Sequence, residues 1–172
     1  QELLNYSCGQ VNLEFREIQL GEWVESVGLF LKEDFASAQV EMVYDLQHSG
    51  PVRMDPDRMR RVLVNIAGNA KDAMAGGGRL TIATRKSEQW WELEVADNGR
   101  GIPADIRPRI FEPFVTPGKE EGTGLGLAIV REIVQSYGGT IDLDSRIAGE
   151  VDGKAPGTTF ILRFPLDPAA PV

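Results

Sequence analysis

The chain has 172 residues, a length that fits one compact domain with a short appendage. Hydrophobic residues at 42% and charged residues at 26% exclude a disordered chain. Acidic residues outnumber basic ones by 26 to 18, and the net charge of -8 argues against a nucleic-acid partner, whose phosphates call for a basic face.

Residues 1–8 read as the end of a helix, with Leu3, Leu4 and Tyr6 on its apolar side and Gly9 as its stop. The start at Gln1, without Met and in a helix-like stretch, points to a fragment of a longer protein. Cys8 is the only cysteine, which rules out an internal disulfide and makes a reducing, cytoplasmic setting the default. Residues 10–20 read as a connecting segment. From Glu22 to about Ala38, Trp23, Val24, Val27, Phe30, Leu31 and Phe35 recur with helical spacing. Val40 to Leu46 alternates as a strand, Ser49-Gly50-Pro51 forms a turn, and Val52 to Met54 is a short strand.

Asp55-Pro56 opens a helix, with Asp as the cap and Pro at the first helical position. This helix is expected to run to about Ala75, where Gly76-Gly77-Gly78 ends it. Leu80 to Lys86 and Trp90 to Ala96 form a β-hairpin around a polar turn. Residues 97–124 are rich in Gly and Pro without periodicity, and a loop of that length in a small domain is usually functional. Leu125 to Tyr137 is helical, Gly138-Gly139 ends it, and Thr140 to Ser145 and Thr158 to Pro165 are strands. The tail from Asp167 is Pro- and Ala-rich and is expected to be loose. No apolar run nears the roughly 20 residues of a bilayer-spanning helix, and no signal peptide opens the chain. A membrane anchor elsewhere in a longer protein stays open. The order of elements predicts a two-layer α/β sandwich, a mixed sheet with helices on one face.

Four stretches carry chemistry. On the helix after Pro56 a polar stripe of Arg61, Asn65, Asn69 and Asp72 runs beside the apolar one. At 100° per residue, Asn65, Asn69 and Asp72 share a face. Asparagine is a mediocre helix former, so the pair is either a solvated face or an amide oxygen offered to a metal ion, a ligand type that Mg²⁺ accepts. Asp97-Asn98-Gly99-Arg100-Gly101-Ile102-Pro103 follows a strand directly, and an aspartate there can accept from an exocyclic amine; a plain Asp-Asn-Gly turn is the alternative. Gly122-Thr123-Gly124-Leu125-Gly126-Leu127 runs into a helix, and backbone N–H groups in such a loop suit phosphate. It lacks the preceding strand and following acidic residue of a dinucleotide fold, and the Gly-Lys-Ser/Thr of a P-loop. Gly157-Thr158-Thr159-Phe160 opens the last strand and says little alone.

Together, in this order, these stretches resemble the catalytic domain of two-component sensor histidine kinases. That family lies within the superfamily that also holds DNA gyrase, mismatch-repair ATPases and a heat-shock chaperone. Asn65-Ile66-Ala67-Gly68-Asn69-Ala70 resembles the N box, Asp97 to Gly101 the G1 box, Phe111-Glu112-Pro113-Phe114 the F box, Gly122 to Leu127 the G2 box and Gly157-Thr158 a short G3 box. The resemblance covers roughly residues 40–165 and implies an ATP-binding α/β sandwich of the Bergerat type. It implies that Asn69 coordinates Mg²⁺, that Asp97 bonds the adenine amino group and that Thr158 supports Asp97 directly or through water. Asn65 and Asp72 would join the ATP site from the helix, and Gly99, Gly101 and Ile102 from the G1 loop. Gly122, Thr123, Gly124, Leu125, Gly126 and Leu127 would close around the phosphates. About Gly101 to Gly122 would be the ATP lid, anchored by Phe111 and Phe114, with Thr116 and Lys119 reaching towards phosphate.

Asn65 stands where hydrolysing relatives carry a glutamate base, and an amide cannot accept a proton at neutral pH. Poor intrinsic hydrolysis is therefore implied, as suits a kinase that holds ATP for an imidazole nucleophile. Asp72 departs from the basic or aromatic residue common there, in a pattern similar to nitrogen-regulator-like kinases, and the lid is slightly longer than usual. The implied phosphoacceptor is a histidine on a separate dimerisation domain. The only histidine here, His48, sits in a turn, so no catalytic residue is expected within the chain. Residues 1–20 would be the end of the dimerisation helix and a linker, 21–166 the ATP-binding domain and 167–172 a tail. The partners implied are that dimerisation domain, a response regulator receiver domain and a second copy in a full-length homodimer. A degenerate nucleotide-binding module without phosphoryl transfer is the alternative.

Overall fold

The computed structural model describes residues 13–115, 123–150 and 155–168. Within them the chain runs β1 (Arg16–Gln19), α1 (Leu20–Ser37), β2 (Val40–Leu46), β3 (Pro51–Met54), α2 (Pro56–Ala73), β4 (Gly78–Lys86) and β5 (Trp90–Asp97). A 3-10 turn (Arg107–Arg109) follows, then α3 (Gly126–Ser136), β6 (Thr140–Arg146) and β7 (Gly157–Pro165). Five strands form one sheet in the order β2-β4-β5-β7-β6, with β2 parallel to β4 and the other neighbours antiparallel. The fold is the mixed-sheet α/β sandwich that the order of elements predicts.

Alternation along the strands decides which face is covered. Leu80 and Ile82 of β4, Trp91, Leu93 and Val95 of β5, and Phe160, Leu162 and Phe164 of β7 are buried on one side. The three helices close that side with Val24, Val27 and Phe35 of α1, Met59, Leu63 and Ile66 of α2, and Val130, Ile133 and Val134 of α3. The opposite face carries ion pairs such as Arg85 to Glu94 at 3.1 Å and Arg163 to Glu92 at 2.9 Å. These pairs are solvent-accessible and contribute little each. No helix among the described residues is long and apolar enough to cross a membrane.

Helix α2 is fixed at its start. The Asp55 side chain accepts from the backbone N–H groups of Asp57 and Arg58 at 3.1 and 3.0 Å, satisfying two donors that the helix leaves orphaned. The buried Tyr137 hydroxyl, just past α3, accepts from the Asp55 N–H at 2.8 Å and donates to the Asp55 carbonyl at 3.0 Å. The two helices that flank the site are thus tied by backbone-directed bonds.

The structure corrects one element. Residues 10–20 read as a connector, but Arg16–Gln19 is a strand paired antiparallel with Pro51–Met54, in a two-stranded sheet of its own. Leu20, expected outside the first helix, begins α1 and is fully buried.

Candidate active site

The register of the sheet sets the floor of the site. Asp97 on β5 lies opposite Thr158 on β7, which lies opposite Ser145 on β6. Directly opposed residues point to the same face, so these three form a polar row beneath the helices at the end of an otherwise apolar surface. The Asp97 carboxylate accepts from the Gly99 N–H at 2.8 Å. Burial pushes its pKa up to about 6, against the backbone N–H groups of Gly99 and Thr158, which pull it down.

Above the row a cavity of about 530 Å³ opens, within the usual size of a small-molecule site of roughly 300–1,000 Å³. Helix α2 contributes Asn65, Asn69 and Asp72, and the strands contribute Asp97 and Thr158. The expected Gly101, Ile102, Thr123, Gly124, Gly126 and Leu127 also line it. The described ends of the long loop add Arg100, Pro103, Ile106, Ile110 and Val115, apolar wall and one cation that the motifs did not single out.

One glycine is needed by geometry, and a second lies close to a side chain of the site. Gly101 has φ +74°, and a Cβ there would lie 1.8 Å from the Arg146 carbonyl oxygen. At Gly126, the first residue of α3, a Cβ would lie 2.9 Å from Asn65 Oδ1. The Asn65 Nδ2 donates to the Arg61 carbonyl at 2.9 Å, one turn earlier, which leaves Oδ1 aimed at the start of α3. No side chain caps the N-terminus of α3 among the described residues, and its first two residues, Gly126 and Leu127, line the cavity. That arrangement favours a negatively charged ligand group.

Several expectations fall elsewhere. Gly99 packs against the end of α2, where a Cβ would meet the Ala73 carbonyl oxygen at 2.7 Å, and Leu125 is buried in the core. Neither lines the cavity. Phe111 is an anchor as expected, with its ring edge-on to Phe160 at 6.2 Å between centroids. Phe114 is not: at φ +67° its side chain is 69% exposed, and the residue holds on through its N–H to the Gly124 carbonyl at 2.9 Å. Thr116, Lys119 and Gly122 lie outside the described residues, as does Cys8. His48 sits between β2 and β3 and is held by backbone bonds to Thr84, with its N–H on the Thr84 carbonyl and its carbonyl on the Thr84 hydroxyl.

Motif reading missed Ser145. Its buried hydroxyl accepts from the Ile102 N–H at 2.8 Å, lies 3.1 Å from the Gly157 carbonyl and 2.9 Å from the Thr158 hydroxyl. Arg107 is a second omission: its Nε donates to the Ile102 carbonyl at 2.7 Å while its guanidinium pairs with Glu150 at 2.5 Å, tying the long loop to the β6–β7 turn.

No group of three or more His, Cys, Asp or Glu among the described residues could hold a metal alone. The Asn69 amide faces the cavity. One amide oxygen, completed by ligand phosphates and water, fits the habit of Mg²⁺.

A cavity lined by a half-buried strand-end carboxylate, the α2 asparagines and the glycine that begins α3 is what the resemblance to the gyrase-like ATPases implies. Residues 54–168 match the family described as "Histidine kinase-, DNA gyrase B-, and HSP90-like ATPase". The chain belongs to this family, as a catalytic, ATP-binding domain of the sensor histidine kinase type. It is 33% identical over 157 residues to sensor histidine kinase ZraS of Escherichia coli (strain K12), covering 91% of this chain and 32% of that protein. It is 39% identical over 146 residues to the C4-dicarboxylate transport sensor protein DctB of Rhizobium meliloti (strain 1021), covering 83% of this chain and 22% of that protein. The chain thus spans about a third or less of these relatives. Among solved structures, the nucleotide-free catalytic domain of histidine kinase ThkA superposes with a TM-score of 0.78 at 29% identity, over 90% of this chain and 97% of that one. ThkA in complex with response regulator protein TrrA gives 0.79 at 29% identity, over 97% of this chain and 46% of that one.

Proposed function

We propose that this domain binds MgATP and donates the γ-phosphoryl group to a histidine on a separate dimerisation domain, in two-component signal transduction. The observation that carries the reading is one cavity lined together by the half-buried Asp97 carboxylate, the α2 asparagines and the start of α3. Asp97 accepts from the adenine amino group, with Thr158 beside it. Gly101 and Ile102 flank the base. Thr123, Gly124, Gly126 and Leu127 lie along the phosphates, and the resemblance alone assigns Gly122, Thr116 and Lys119 a phosphate contact. Asn65 and Asp72 approach from α2, and Asn69 would hold Mg²⁺ through its amide oxygen. Bound there, Mg²⁺ would supply positive charge against the phosphates.

Asn65 cannot act as a base, so water is not activated and ATP waits for the incoming imidazole. The ATP-binding domain ends near residue 166 and begins earlier than the expected residue 21, because Leu13 packs in its core and Arg16–Gln19 pairs with Pro51–Met54. The receiving partner after the histidine is a response regulator, and the whole protein is a homodimer whose catalytic domain works in the cytoplasm. A relative named as a sensor histidine kinase and a ThkA structure in complex with response regulator protein TrrA support this placement.

Calorimetric titration with ADP, with and without Mg²⁺, tests it. Wild type should bind in the micromolar range, Asp97→Asn should bind far more weakly, and Asn69→Ala should lose the Mg²⁺ dependence. A folded wild type that binds no ADP would remove the proposal.

A further inference from the structure

The polar row beneath the cavity has a hydrogen-bond direction that follows from counting protons. Ser145 Oγ has three neighbours: the Ile102 N–H at 2.8 Å, the Gly157 carbonyl oxygen at 3.1 Å and the Thr158 hydroxyl at 2.9 Å. A backbone N–H can only donate and a carbonyl can only accept. Ser145 therefore spends its single proton on Gly157 and accepts from Ile102. That leaves the Thr158 hydroxyl to donate to Ser145, because Ser145 has no second proton to offer. All three contacts are then satisfied, as buried polar groups require. Thr158, itself buried and in the cavity wall, has no proton left for a ligand and can offer only lone pairs. Asp97, opposite it in the register, is also an acceptor.

We propose that Ser145 is a positioning residue that fixes Thr158 as a hydrogen-bond acceptor and so sets the preference of the cavity for an amino-purine over an oxo-purine. The inference rests on the nucleotide reading of the cavity. Two acceptors side by side match the two N–H groups of an exocyclic amine. A 6-oxo group would face them with a third acceptor and no proton between them. Removing the Ser145 hydroxyl frees the Thr158 proton to turn towards the ligand, which converts one wall group from acceptor to donor.

The test is the ratio of ADP to IDP affinity, measured by calorimetry on this chain. Wild type should prefer ADP. Ser145→Ala should narrow the ratio about fivefold or more, the scale of one gained or lost hydrogen bond. Ser145→Thr keeps the hydroxyl and should restore the ratio. Thr158→Val should narrow it as well, and adding Ser145→Ala to Thr158→Val should narrow it no further. A purely structural Ser145 would weaken both nucleotides in proportion and leave the ratio unchanged, and that result overturns the inference. If Ser145→Ala does not fold, an unchanged ratio in Thr158→Val overturns it instead. Absence of ADP binding by folded wild type is a distinct result, which removes the nucleotide reading and this inference with it.

Discussion

Asp97→Asn should both stabilise the nucleotide-free domain and abolish its function. Burial raises the Asp97 pKa from 3.8 to about 6. At about 1.4 kcal/mol per pK unit, that corresponds to roughly 3 kcal/mol carried by the ionised form at neutral pH. Residual solvent access at the cavity mouth reduces the figure, and about 1–2 kcal/mol is the expectation. The sign follows from proton linkage. A carboxyl whose folded pKa lies above its unfolded one contributes its full stability below the unfolded value of 3.8 and loses it as pH rises through about 6. Asparagine keeps an acceptor for the Gly99 N–H without the charge. In thermal melts at pH 8 the variant should exceed wild type by roughly 3–6 °C for a domain of this size. The gap should close as the pH falls from about 6 to 4. A variant that is less stable than wild type at pH 8, or a gap that does not change with pH, would refute this account of Asp97. Strong ADP binding by the variant would separately deny its role at the base.

Tyr137→Phe removes the hydroxyl that serves both backbone groups of Asp55. Buried unsatisfied groups should cost about 2 kcal/mol or more, read as a lower midpoint in urea, and an unshifted midpoint would contradict the pinning of α2. Gly101→Ala combines a left-handed φ with a backbone overlap that no rotamer relieves; it should lower Tm and weaken ADP binding together, and wild-type behaviour in both would show that the close approach is not needed. Asn65→Glu places a proton acceptor beside the start of α3. Phosphate release from MgATP should rise above the wild-type rate, and no rise with ADP affinity retained would remove the base argument.

How much of this was readable beforehand depends on the range of the interaction. The Asn65, Asn69 and Asp72 stripe is local, because helical periodicity alone puts three residues on one face, and all three line the cavity. Asp97 at a strand end and the glycines before α3 are local as well. The β1 strand was not legible, because Arg16–Gln19 is only four residues long and its partner lies beyond the whole of α1 and β2. Ser145 was not legible either: a serine in a strand acquires meaning only when the register sets it beside Thr158 and a loop over forty positions away delivers the Ile102 N–H. Phe114 misled because the motif records an aromatic, not whether its ring is packed, and the ring is exposed.

The most direct test of the central claim is phosphoryl transfer in trans. This chain and radiolabelled MgATP should be mixed with the histidine-bearing dimerisation domain of its own full-length protein. Label should appear on that domain's histidine, depend on Asp97 and Asn69, and be absent from His48 when the chain is incubated alone. ADP binding by this chain with no label on the dimerisation domain would contradict the kinase account and leave a nucleotide-binding module in its place.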